Sequence, residues 1–161
     1  MIWPGMGDPS KRGKVIRYLI MTAIIGASIV ALSSSVQLWL NADNPLKVCI
    51  GDKEINYKIS ATLEVYIYKQ KQEIPAKVGF KNDCQRSLYT ETNDGAIYAA
   101  WKEEYPFEIG HFLWIWEFPI RDMQESKSKI FVDGKESPDY TRTPLIDGAH
   151  YRAEFISKAY D

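Results

Sequence analysis

Residues 18–40, YLIMTAIIGASIVALSSSVQLWL, are 23 in a row without a charged side chain, and the charges that bound them are Arg17 and Asp43. Wound as a helix the run is about 34 Å long, enough to cross the hydrocarbon of a bilayer. A charge at mid-membrane costs about 3 kcal/mol, so a stretch this long with none is where a spanning helix is expected. Tyr18 and Trp39 stand near its ends, where aromatic rings favour the headgroup layer. Lys11, Arg12, Lys14 and Arg17 precede it against Asp8 alone. The positive-inside rule then keeps the start of the chain in the cytoplasm. Residues 1–16 are read as a cytoplasmic tail, 17–41 as a transmembrane helix and 42–161 as an extracytoplasmic domain at the cell membrane. A cleaved export signal is the competing reading, with Ala31–Ser33 as its processing site. Apolar residues continue past that point through Val36, Leu38, Trp39 and Leu40, further than such a signal needs.

The span carries a pattern of its own. Ala23, Ala27, Ala31 and Ser35 recur every four residues, which places them on one helical face, with Thr22, Gly26 and Ser34 as a partial second row. Lipid tails are as apolar as leucine, so spanning helices associate through small side chains that permit close backbone approach. The row reads as a helix-docking seam. Small residues are also common in spanning helices for no such reason, and Ser33, Ser34 and Ser35 can bond back to their own backbone.

Beyond the span, charge changes character. Residues 41–161 hold 16 basic and 20 acidic side chains, and the whole chain has a net charge of -1. That balance gives no reason to expect a nucleic-acid partner. Leu63, Val65 and Ile67 alternate with Glu64, Tyr66 and Tyr68, the period of a half-buried strand, and KQKQ at 69–72 reads as the turn after it. Pro75 marks a strand end or an edge. Asp94-Gly95, Asp133-Gly134 and Asp147-Gly148 mark tight turns, because glycine reaches the positive φ they need. KIFVDGK and HYRAEFI read as further strands.

Between Pro106 and Pro119 the chain is apolar on nearly every side. Phe107–Trp116 reads as a short helix lying across a sheet, with a strand as the alternative. Phe112, Trp114 and Trp116 are candidates for a partner surface, and the competing reading is that the segment simply fills the core. The expected architecture is α+β: one N-terminal transmembrane helix, then a small, mostly antiparallel β domain with one short helix. A β-grasp-like arrangement is the first choice and a β-sandwich the alternative.

Cys49 and Cys84 are the only cysteines, and both lie in the exported part. In an oxidising compartment they are expected to form a disulfide closing a loop of about 35 residues, stabilising by roughly 3 to 4 kcal/mol. A redox pair or metal thiolates is the alternative, without the CxxC spacing that chemistry favours. Enzyme signals are weak. The two histidines, His111 and His150, read as hydrogen-bonded structural residues, and Glu103-Glu104 as a solvated pair. No nucleophile elbow, P-loop or dinucleotide fingerprint occurs. No catalytic residue, cofactor or metal is therefore assigned.

Three segments carry a resemblance: ATLEVYIYKQKQEIPAKVGFKNDCQRSLYTETNDGAIYAAW, PFEIGHFLWIW, and FVDGKES with LIDGAHYRAEF. Together, over roughly residues 57–155, they resemble a family of exported, normally His-rich domains of ammonia-oxidising archaea. Its pattern runs from His-x-His through IPANIG to a Cys-containing stretch rich in histidine, then a segment like FTLGDFFDIWG and a final Asp-Gly hairpin. Pro75, Gly79, Cys84, Gly95, Phe107, Gly110, Trp116, Asp147 and Gly148 match it in order. Where the pattern has histidines this chain has Lys58, Ser60, Tyr89, Glu91 and Tyr98. Imidazoles at those places would suit copper; a lysine and two tyrosines do not. Glu91 and Asp94 retain only a weak capacity for a hard cation.

The resemblance implies a non-catalytic, single-span accessory subunit of a membrane-bound oxidoreductase complex, with archaeal ammonia monooxygenase the foremost candidate. Its partners would be the other membrane-embedded subunits and the lipid bilayer. An independent, membrane-tethered domain that binds a metal or a copper carrier is the alternative, and a thiol-disulfide enzyme a third reading that requires a free, reactive cysteine.

Overall fold

The structure, a computed structural model, describes residues 9–42, 44–51 and 53–160. It divides into two compact units with the boundary after Asp43. The first is a single helix, α1 (Pro9–Ala42), 34 residues long. It begins well before residue 17, because Pro9 suits a first helical turn and only Gly13 weakens the stretch that follows. The expected tail of residues 1–16 is thus partly helical, and residues 1–8 lie outside the described residues. Val15–Ser33 is long and apolar enough to cross a membrane, and none of it is buried. The Thr22 hydroxyl donates to the Leu19 carbonyl at 2.9 Å, Ser28 to Ile24 at 2.8 Å and Ser33 to Val30 at 2.9 Å. These bonds satisfy the polar side chains within the helix itself.

The second unit is built on β1 (Tyr57–Ile67). Ile59, Ala61, Leu63 and Val65 are buried while Lys58, Ser60 and Thr62 are exposed, as the period of two requires. A two-residue turn at Tyr68 and Lys69, both at positive φ, returns the chain into β2 (Gln70–Gln72). The turn is therefore Tyr68-Lys69, and most of KQKQ is strand. β3 (Phe80–Lys81) and β4 (Cys84–Gln85) form a separate ribbon closed by Asn82 and Asp83, which tolerate positive φ through short polar side chains. β5 (Leu88–Tyr89) and β6 (Ala96–Trp101) follow, then α2 (Ile109–Ile115), β7 (Lys129–Val132), β8 (Lys135–Glu136) and β9 (His150–Phe155).

Seven strands make one sheet in the order β5-β6-β1-β9-β7-β8, with β2 also paired to β1. Pairing is antiparallel except between β1 and β9, which run parallel from Thr62↔His150 to Ile67↔Phe155. A mixed sheet with a parallel central pair, flanked by hairpins and crossed by one helix, is α+β and fits the β-grasp-like expectation. A second sheet packed face to face, as a sandwich requires, is not formed among the described residues.

Helix α2 closes the inward side of the sheet. Ile109, Phe112 and Leu113 are buried with Ile115, at the spacing that puts residues on one helical face. They share one core with Leu63, Ile97, Trp101, Ile130, Tyr151 and Phe155. At the start of α2 the Glu108 N–H donates to His111 Nδ1 at 3.1 Å. At its end the Phe118 N–H reaches the Leu113 carbonyl at 2.9 Å and Glu117 N–H reaches Trp114 at 3.1 Å, a Schellman closure with Glu117 at φ 62 where glycine is usual. Gly110 lets α2 approach closely: a Cβ there would stand 2.7 Å from the Thr141 carbonyl oxygen.

Candidate functional site

The outward face of the sheet brings together Lys58, Ser60, Tyr89 and Tyr98, four of the five positions singled out in the sequence. Register places Tyr89 opposite Tyr98 and Tyr98 opposite Ser60, a row across β5, β6 and β1. Lys58, two residues along β1, holds its Nζ 5.4 Å from the centroid of the Tyr98 ring. The Tyr89 and Tyr98 rings stack at 5.4 Å, and Phe80 meets Tyr89 edge-on at 5.6 Å. Folding therefore gathers Lys58, Ser60, Tyr89 and Tyr98. Glu91 stands apart, exposed in the bend that follows β5.

This row packs instead of presenting ligands. Tyr89 is buried between Phe80 and Tyr98, and each ring pair contributes about 1 kcal/mol beyond its area. The Asp147 carboxylate accepts the Ser60 N–H at 2.8 Å, locking the second Asp-Gly turn of the chain's end onto β1. Asp94 is likewise turned inward on its own loop: its carboxyl is held below the usual range by the Ala96 N–H, at 3.0 Å, and by the Thr92 side chain. No group of three or more His, Cys, Asp or Glu side chains converges among the described residues.

Further along the same face lies a polar network. Glu64 accepts from Lys71 at 2.6 Å and from the Tyr66 hydroxyl at 3.0 Å, which holds its carboxyl low. The Arg152 guanidinium lies 5.1 Å from the Tyr66 ring centroid and pairs with Glu154. Exposed pairs of this kind contribute little to stability, and they leave the face hydrophilic.

The two histidines differ in setting. His111 caps α2, and burial holds its imidazole below the ordinary value, partly offset by the Glu108 carboxylate. His150 is exposed, and its backbone N–H donates to the Asp133 carboxylate at 2.9 Å beside the β7–β8 turn. Cys49 and Cys84 form a disulfide with Cα atoms 5.2 Å apart.

The candidate partner surface needs correction. Phe112 is fully buried, and Trp116 is half-buried between Phe112 and Phe118, with ring centroids 6.2 and 5.1 Å away. Only Trp114 faces outward, 53% exposed, because α2 buries residues 109, 112, 113 and 115 and leaves 114 on the other side. Of the seam, Ala23, Ala27 and Ala31 lie on an exposed stretch of α1, and the Ser35 side chain lies outside the described residues.

Sequence reasoning missed a groove of about 280 Å³ where the 75–81 loop meets the end of α2. Lys77, Lys81 and Arg86 line it with Glu117, and Arg86 stacks 5.6 Å over Trp114. The signal was available: residues 77–86 hold three cations against Asp83 alone, inside a chain otherwise richer in acid.

No protein-family model, curated protein or solved structure matches this chain.

Proposed function

We propose that this chain is a single-span, non-catalytic accessory subunit of a membrane-bound oxidoreductase complex, with archaeal ammonia monooxygenase the assembly to which the resemblance points. The observation that carries the reading is the surface of α1. Ile20, Ile24, Ile25, Ile29, Val30 and Leu32 are all exposed, so the helix is apolar around its circumference. Such a helix requires lipid or other helices around it. Small residues at 23, 27 and 31 supply a face on which a neighbouring helix can close. The Cys49–Cys84 disulfide suits a domain outside the cytoplasm, and the basic residues before the span orient it that way. On the open sheet, tyrosine and lysine occupy the places that would hold a metal in the family pattern, which supports a bracing role over a catalytic one.

The test is extraction of native membranes in mild detergent, with mass spectrometry of whatever co-migrates. Stoichiometric subunits of an oxidoreductase are expected alongside the chain, and Ala27→Leu with Ala31→Leu should release it from them while leaving the exported domain folded. A chain that runs alone as a monomer overturns the reading.

A further inference from the structure

We infer that the groove lined by Lys77, Lys81 and Arg86 is a docking surface for the phosphate headgroups of anionic lipid, in the bilayer that α1 enters. The inference rests on the tethered reading above and adds a second, peripheral contact to it.

Charge is the first argument. The groove brings three cations against one carboxylate, Glu117, in a domain where acid otherwise prevails. Among the described residues neither Lys77 nor Lys81 forms an ion pair, and Arg86 spends its side chain on the Trp114 ring. Cations left unpaired at a concave surface attract a polyanionic one.

The groove is also built rather than loose. Thr90, fully buried, accepts the Val78 N–H at 3.0 Å through its hydroxyl and donates to the Pro75 carbonyl at 2.8 Å. The Lys77 N–H donates to the Thr90 carbonyl at 3.1 Å. Gly79 lies so close to β5 that a Cβ would stand 2.2 Å from the Leu88 carbonyl oxygen. Lys77 and Glu117, which both line the groove, are held at positive φ, at 60 and 62°. Non-glycine residues kept in that region against their preference recur at ligand-contacting sites. Two aromatic rings stand exposed beside the cations: Trp114, and Phe80 at 41%. Rings of this kind favour the boundary between headgroups and hydrocarbon.

Chain connectivity selects a bilayer over a soluble partner. Ser87, next to Arg86, donates from its hydroxyl to the Pro45 carbonyl at 2.6 Å, and the Ile50 N–H donates to Gln85 at 2.8 Å. The disulfide ties Cys49 to β4 in the same place. Pro45 is five residues past Leu40, the last residue of the apolar run, so it stays within about 18 Å of that residue however the domain is turned. The cationic wall is thus stapled to the first residues that leave the span.

The test uses the full chain in nanodiscs of neutral phosphatidylcholine and in nanodiscs that also contain phosphatidylglycerol, read by amide hydrogen exchange. Exchange at residues 77–81 and 86 should be about tenfold slower in the anionic discs, and the difference should vanish at high salt. It should vanish too in Lys77→Gln/Lys81→Gln/Arg86→Gln, with protection of β1 and β9 unchanged. The charge-matched Lys129→Gln/Lys135→Gln/Arg152→Gln should keep it. Equal exchange in both discs overturns the inference alone, as does loss of the response in both triple variants. If millimolar inorganic phosphate abolishes the difference, the groove serves a free anion and the lipid assignment falls; protection that appears only when an acidic partner polypeptide is added overturns it equally. A chain that enters neither kind of disc overturns the tethered reading and this inference together.

Discussion

Tyr98 stacks on Tyr89 with ring centroids 5.4 Å apart and planes inclined by 23°, and the Lys58 ammonium lies over the outer ring at 5.4 Å. Directly opposite residues on one sheet face are the unit by which strands hold each other, and here the pair joins β5 to β6. Tyr89→Ala should cost about 3 kcal/mol because the residue is buried. In a double-mutant cycle with Tyr98→Ala by urea unfolding, the coupling should be about 1 kcal/mol. Strict additivity would show that the stack holds nothing.

The Cys49–Cys84 bond closes a separation of 35 residues and holds the entry segment against β4. Replacing both cysteines by serine should lower stability by about 3 to 4 kcal/mol, and dithiothreitol should lower the wild-type midpoint alike. A double variant as stable as the wild type would mean that the bond decorates a fold already secured.

Tyr151 is fully buried, yet its hydroxyl donates to the Pro144 carbonyl at 2.7 Å and accepts the Ile146 N–H at 2.8 Å. Tyr151→Phe keeps the ring and strands both backbone groups, so the loss should be about 1 to 3 kcal/mol. Hydrogen exchange at Ile146 should rise in the same variant; an unchanged rate would refute the assignment.

Glu117 closes α2 at φ 62 in the position that glycine usually occupies. Glu117→Gly should raise stability by about 1 kcal/mol, since the left-handed region costs an L side chain that much. Destabilisation would show that the Glu117 side chain holds more than its backbone angle costs.

The His111 cap works only with the neutral ring, whose Nδ1 accepts the Glu108 N–H. Burial lowers the folded-state pKa, so the unfolded chain takes up the proton first. The cap's contribution is complete above the unfolded value of about 6.5 and is lost as pH falls below it. From about pH 7.5 to 5 the urea midpoint of the wild type should fall further than that of His111→Gln, whose amide can still accept. Parallel curves would dismiss the ring as a titrating cap.

Much of this architecture is written in short-range pattern. A long uncharged run becomes α1, alternation from Leu63 to Ile67 falls in β1, and Gly95, Gly134 and Gly148 all take positive φ at the turns where Asp-Gly pairs announced them. Cys49 and Cys84 pair because no other thiol competes. Each of these follows from spacing or backbone preference within a few residues, which is why sequence alone determines it.

Partnership across the chain is another matter. Only the folded sheet sets β1 beside β9, aligns Ser60, Tyr98 and Tyr89 in one row, turns Phe112 inward and Trp114 out, and draws Lys77, Lys81 and Arg86 around one groove. Periodicity tells which residues share a face, but which face is buried depends on competition among all the apolar surfaces the domain must cover. That competition is resolved by contacts between residues far apart in sequence, and no local window contains it.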